Sequence, residues 1–154
     1  MSHAGYDIRV AEAHRIFPGE FTLASSAERF ALPDSVLGIV HDKSTWARKG
    51  LSVFNTVLEP GWCGYLTLEL ANHGKEPINL YTGMGIAQVV FHFLDQRTDN
   101  PYSGKYQDQK AGPQEAIFET SLAGLPASFF RSTRKGNDHG NDIRQIHKTS
   151  ALSV

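Results

Sequence analysis

The stretch Gly64-Tyr65-Leu66-Thr67-Leu68-Glu69-Leu70-Ala71-Asn72 alternates apolar and polar side chains. Successive side chains of a strand point to opposite faces, so a strand with one covered face reads this way and a helix does not. The same pattern recurs along the chain in short pieces. "GYDIRV" (Gly5 to Val10), "EFTLASSAERFALP" after Pro18-Gly19, "VLGIV" (Val36 to Val40), "INLY" after "NHGKEP", and "IAQVVFHFL" after "TGMG" are all strand candidates. In the last, Ala87, Val89, Phe91 and Phe93 share one face, with Gln88 and His92 on the other. Pro60-Gly61 marks a further turn just before the leucine strand. Many short strands with regular Gly/Pro punctuation predict an all-β barrel or sandwich. One short helix is expected over "STWARKG" (Ser44 to Gly50), capped by Ser44 or Thr45 and stopped by Gly50.

The alternation also raises a chemical question. Glu69 stands mid-strand on the face opposite three leucines, where it is either a solvated surface acid or a reagent. Composition narrows the answer. The 154 residues suffice for one domain with a real core. A net charge of −1 supplies no basic field, so duplex nucleic acid is not favoured as a partner. Cys63 is the lone cysteine, which forbids an intrachain disulfide and fits a reducing compartment. No apolar run approaches the roughly 18 to 20 residues of a membrane span, and "MSHAGYDIRV" has no apolar signal core. A soluble cytoplasmic protein is expected.

Several chemistries are excluded by what is missing. There is no Gly-x-x-x-x-Gly-Lys-Ser/Thr loop for a P-loop nucleotidase and no Gly-x-Ser-x-Gly elbow. A zinc deaminase needs His-x-Glu with Cys-x-x-Cys, which one cysteine cannot build. The histidines at 3, 14, 41, 73, 92, 139 and 147 show no close ligand spacing. An enzyme built from this chain works through carboxylate, hydroxyl and guanidinium groups, without a metal in a protein cage. "HDKSTWARKGL" gathers Lys43, Ser44, Thr45 and Arg48 at a helix start. That pattern reads as an anion site or as a capped surface helix with ordinary charges.

After Leu94 the chain changes character. Asp95 to Ala116 is polar and aperiodic, yet carries Tyr102, Tyr106 and Lys105. From about Arg131 the chain is rich in basic residues and poor in large apolar ones, which reads as a solvated tail. The expected organisation is one domain over 1–123, the segment 95–116 included, and a tail over 124–154.

Taken in order, "GYDIRV", "DKSTWARKGL", "LEPGWCGYLTLELANHG", "GMGIAQVVFHFL" and "YSGKYQDQKAGP" resemble the dCTP deaminase family of the dUTPase-like superfamily. The resemblance runs from Gly5 to Pro113. It implies a distorted β-barrel of jelly-roll type, a homotrimer with active sites between protomers, and a deoxynucleoside triphosphate ligand: dCTP, with dUTP and dTTP as further candidates. Mg²⁺ would be carried on the phosphates. The family's Ser-Ser-x-Ala-Arg run falls on Ser44-Thr45-Trp46-Ala47-Arg48, with Lys43 before it. Its catalytic glutamate falls on Glu69, beside Thr67 and Leu68 of the same motif. The acid before Pro-Gly falls on Glu59, the glutamine of Ile-Ala-Gln on Gln88, and the nucleotide-covering residues on Tyr102, Lys105 and Gln109. Glu69, Ser44 and Arg48 are thereby implied as catalytic and the remainder as substrate-binding.

Three departures from the family pattern stand out. The link "KGLSVFNTVLE" is about two residues short, placing Asn55, Thr56 and Val57 where the base pocket is lined; the Asn55 amide can read a base edge. Glu59 replaces the usual aspartate. The N-terminal lead is short, as in dUTPases. A dUTPase, a bifunctional enzyme giving dUMP, and a catalytically silent nucleotide-binding regulator are the alternatives. Against a dUTPase, the Gly-rich C-terminal phosphate motif is replaced by "GKYQDQKAGP". Against a pure binder stands Glu69, a carboxylate that binding does not require.

Overall fold

A computed structural model describes residues 4–54 and 56–118. Along them run β1 (Tyr6–Arg9), β2 (His14–Ile16), β3 (Phe21–Ala31), β4 (Val36–Asp42), α1 (Ser44–Ala47), β5 (Leu51–Val53), β6 (Val57–Leu58), β7 (Cys63–Asn72), β8 (Ile78–Leu80) and β9 (Gly85–Phe93). The strands form three sheets, ordered β1-β9-β4-β6, β3-β7-β5 and β2-β8. Every paired strand is antiparallel. The all-β class with one short helix is as the sequence predicts; among the described residues the ladders do not join into a closed barrel. The tail expected over 124–154 and the base-edge candidate Asn55 lie outside the described residues.

The leucine strand behaves as its alternation requires. On β7, Leu66, Leu68 and Leu70 are buried in a core that includes Ile8, Val10, Val40, Ile86 and Val89. Each such side chain contributes about 1.5–3 kcal/mol of transfer free energy. On β9 the four residues share a face as predicted, but burial fades along it. Ala87 and Val89 are fully buried, but Phe91 is 41% and Phe93 85% exposed. The strand runs past the core, so the described residues cover Phe91 only in part and leave Phe93 largely uncovered.

β3 and β7 pair over almost their whole lengths, with a register shift between Ser25 and Arg29. Ser26 resolves the interruption. Its buried hydroxyl accepts from the Leu66 amide at 2.8 Å and donates to the Glu28 carbonyl at 2.7 Å, so the ladder keeps a partner where the backbone bulges. Asn72 closes the other end of β7. Its side-chain amide donates to the Ile16 and Glu76 carbonyls, and its side-chain carbonyl accepts from the Gly74 amide.

The helix spans Ser44–Ala47, but the cap differs from expectation. Lys43 occupies the N-cap position and no side chain caps the helix. The Lys43 ammonium instead reaches Asp7 on β1, and Ser44 is already the first helical residue. Trp46 anchors the turn through its indole N–H, which donates to the Gly85 carbonyl at 2.9 Å. The helix ends at Ala47 with Arg48 as its C-cap, short of the stop expected at Gly50, which turns the chain beyond it at φ +91°, with the Gly74 Cα 2.7 Å from where a Cβ would stand. No larger residue fits that approach.

Candidate active site

Glu69 lies on the face of β7 opposite the leucines. Register places Leu23 of β3 directly across from it, with Ser25 across from Thr67 and Phe21 across from Ala71. Paired residues share a face, so Phe21, Leu23, Thr67 and Glu69 form one side of a depression in the sheet. Thr56, Val57 and Glu59 form a second side, after β5. The third comes from beyond β9: Tyr102, Tyr106, Gln109, Gln114, Glu115 and Ala116. Together they enclose about 440 Å³, with Trp62 also in the lining. That volume lies within the range of small-molecule sites, about 300–1,000 Å³.

The third wall is irregular in backbone but not loose. The Asp108 amide donates to the Cys63 carbonyl at 2.9 Å, and the Tyr65 amide donates to the Gln109 carbonyl at 3.0 Å. A parallel bridge joins Gly64 to Gln109. The Trp62 indole N–H donates to the Tyr106 carbonyl at 2.8 Å. Thr67, nearly buried, accepts from the Gln109 side-chain amide and from the Gln114 backbone amide. The segment is thus a strap tied to the first half of β7.

The electrostatics of the pocket are one-sided. Glu59, Glu69 and Glu115 line it, and among the described residues no lysine or arginine does. Glu69 is half-buried, and burial raises its carboxyl above its ordinary value; a hydrogen bond from its own backbone amide pulls the other way. A carboxyl group poised nearer neutrality is equipped to accept a proton and return it.

The residues singled out in the sequence divide into two sets. Glu59, Thr67, Glu69, Tyr102 and Gln109 share the pocket. Lys43, Ser44, Thr45, Ala47 and Arg48 sit on or beside α1 and do not line it. Gln88 lies on β9, in register with Asp7 and His41. Leu68 is a core residue, 1% exposed. Lys105 is exposed on the strap, donating to the Ile117 carbonyl at 2.5 Å with its ammonium 5.4 Å from the Tyr106 ring centroid. Sequence pattern does not single out Trp62, Gln107, Gln114 or Glu115. A faint signal is present: in "YQDQK" Gln107 and Gln109 alternate with charged or aromatic neighbours, the strand period in a stretch that otherwise reads as loop.

A family model described as dCTP deaminase-like matches residues 6–94. The chain belongs to this family. Its β-strands and the pocket acid Glu69 lie within the matched range, whereas the strap lies beyond it. A dCTP deaminase of Roseiflexus castenholzii is 38% identical over 141 residues, covering 71% of this chain and 77% of that protein. A Methanosphaera stadtmanae protein named dCTP deaminase, dUMP-forming, is 38% identical over 105 residues, covering 64% and 53%. Among solved structures, the native EIAV dUTPase superposes with a TM-score of 0.56 at 23% identity, covering 68% of this chain and 87% of that one. A dUTPase from phage phi11 of S. aureus superposes with a TM-score of 0.56 at 17% identity, covering 67% and 85%. This dCTP deaminase-like chain thus carries the fold seen in dUTPases.

Proposed function

We propose that the chain hydrolytically deaminates dCTP to dUTP and ammonia, with Glu69 as the group that moves protons. The observation that carries this reading is Glu69 itself, half-buried on a strand face inside a three-sided pocket, its carboxyl raised by burial. The relatives named as dCTP deaminases support the substrate. The ionised Glu69 takes a proton from water, whose oxygen attacks C4 of the cytosine. The proton passes to ring N3. As the tetrahedral carbon collapses, C4 becomes a carbonyl and the amino group departs as ammonia with a proton relayed through Glu69. Proton transfer of this kind contributes about 10²–10⁴ in rate. The strand fixes the carboxyl in place, which positioning catalysis requires.

The triphosphate needs cations that the pocket lining does not supply. Lys43 and Arg48 lie outside it, so in our reading α1 of a neighbouring protomer completes each site, supplying Ser44 to hold the water and Arg48 to hold Glu69. Such sharing fits the homotrimer that the family resemblance implies. Among the described residues no group of three or more His, Cys, Asp or Glu is arranged to hold a metal ion. Mg²⁺, which keeps most of its waters and prefers phosphate oxygens, fits as a passenger on the nucleotide, where it would screen phosphate charge beside Lys43, Arg48 and Lys105. Thr45, Ala47, Gln88, Tyr102 and Gln109 are proposed to contact the same nucleotide. The nucleotide domain is taken as 1–123 with a tail over 124–154, and the lone Cys63 supports a cytoplasmic setting.

One observation favours a second reading. Glu59 lines the same pocket as Glu69, and a second carboxylate can activate a second water for attack on phosphorus, giving dUMP. Incubation with dCTP and, separately, dUTP, each with Mg²⁺, separates the readings. Ammonia with dUTP identifies the deaminase, ammonia with pyrophosphate from dCTP the dUMP-forming enzyme, and pyrophosphate from dUTP alone a dUTPase. Binding of either nucleotide without product leaves a regulator.

A further inference from the structure

Besides its backbone ties, the strap is fastened by one side chain that makes three bonds. Gln107 is half-buried, and its amide is fully engaged. Its Oε1 accepts from the Cys63 backbone amide at 2.9 Å. Its Nε2 donates to the Gly61 carbonyl at 2.9 Å and to the Tyr102 carbonyl at 3.2 Å. A single residue thus ties together the turn that follows Glu59, the first residue of β7, and the start of the strap. Around it the backbone converges: the Tyr102 amide donates to the Pro60 carbonyl at 2.8 Å, and Gly61 turns at φ +84° with Pro101 Cβ 2.7 Å from where a Cβ would sit. Gln107 does not line the pocket, but Tyr106 and Gln109 beside it do.

We infer that Gln107 is a positioning residue that sets the third wall of the Glu69 pocket. This rests on the deaminase reading for its substrate and on the hydrogen bonds alone for its geometry. The donor and acceptor ends of the amide are not interchangeable. Two carbonyl oxygens face Nε2 and one N–H faces Oε1, so only an uncharged amide of this length satisfies all three partners. Without it, the carbonyls of Gly61 and Tyr102 lose this donor, the turn and the start of the strap keep only the Tyr102–Pro60 backbone bond between them, and Tyr102, Tyr106 and Gln109 are placed less firmly. The ligand then meets a looser third wall. A wall that binds substrate and transition state alike acts mainly through KM.

The test uses the full chain with two variants. Gln107→Glu keeps the shape but turns an oxygen towards two oxygens; Gln107→Met keeps the length and removes all three bonds. At pH 8 both are expected to raise amide exchange across residues 101–116 by about 10- to 100-fold, the scale of one or two ordinary hydrogen bonds lost. The KM for dCTP is expected to rise about tenfold with a smaller change in kcat. At pH 4 the introduced carboxyl, whose protonated form the two facing carbonyls favour, regains one donor, so the excess exchange of Gln107→Glu over the wild type shrinks while that of Gln107→Met does not. Exchange unchanged in both folded variants overturns the inference. So does a loosened strap with unaltered KM and kcat, or a Gln107→Glu excess that ignores pH. Should the wild type turn over no dCTP, the deaminase reading falls; the exchange and its pH response still decide whether Gln107 holds the wall, with nucleotide affinity read in place of KM.

Discussion

Replacing Glu69 by glutamine separates two effects of one carboxylate. The amide keeps size and shape, so the fold and nucleotide affinity are expected to persist, while deamination of dCTP falls by about 10²–10⁴, the usual range for a lost proton-transfer group. Stability is expected to move the opposite way, and the sign follows from the direction of the pKa shift. In the unfolded chain the carboxyl titrates near about 4.3; in the folded pocket burial raises it. Below the unfolded value both states are protonated and the carboxyl costs the fold nothing. As pH rises from there to the folded value, ionisation increasingly favours the unfolded chain, and above the folded value that cost is complete. Glu69→Gln removes it. Partial exposure and solvent screening keep the gain below about 1 kcal/mol, or about 3 °C in Tm for a chain of this length. Thermal melts of both proteins at pH 4 and pH 8, with ammonia release from dCTP across the same range, make the measurement. The wild type should lose kcat/KM on the acid side, at a pH above the ordinary glutamate value, because the reaction starts from ionised Glu69. Retained turnover removes Glu69 from proton transfer. A lower Tm for the variant at pH 8 shows a carboxylate well satisfied in the folded site, and the reasoning from desolvation fails.

Three further outcomes are expected. Inactive Glu69→Gln and Arg48→Ala chains, unfolded and refolded together, should recover about a quarter of wild-type sites, since random mixing lets one protomer lend Glu69 and another lend Arg48; no recovery places both residues in the same copy's site. Leu68→Ala should cost about 2–5 kcal/mol in denaturant melts by leaving a void under β7, and an effect under about 1 kcal/mol would show that the core collapses around it. If the domain is 1–123, a chain ending at Ala123 should keep dCTP turnover within about twofold of the full chain; loss of activity moves the domain boundary.

The parts of the fold legible in the sequence are those with one buried face and a strong period. β7 is the clearest case: three leucines on one side settle its type, and Glu69 on the other raises the question the pocket answers. β2, β5 and β6 are not legible, because Arg15, Ser52 and a two-residue pair offer no run long enough to show alternation; they exist because β8, β7 and β4 lie ready to pair with them. Phe91 and Phe93 share the face of the buried Ala87 and Val89 yet are more exposed, because period reports which face a side chain is on, not whether anything covers it. Lys43 at the helix cap depends on Asp7, 36 residues earlier, a pairing invisible to local pattern. In the site, Glu59, Thr67, Glu69, Tyr102 and Gln109 are identifiable through motif resemblance. Gln107 and Gln114 are not, since what they do depends on where the chain returns after β9.

The way the strap is fastened bears on how this site can change over generations. Where it meets β7, two of its ties run between backbone atoms, from Asp108 to Cys63 and from Tyr65 to Gln109. Main-chain attachments survive substitution of the residues that make them. Side chains on that wall other than Gln107 can therefore drift towards another base or sugar while the seam itself endures, giving lineages that share this architecture latitude to diversify their ligands without first reinventing the closure.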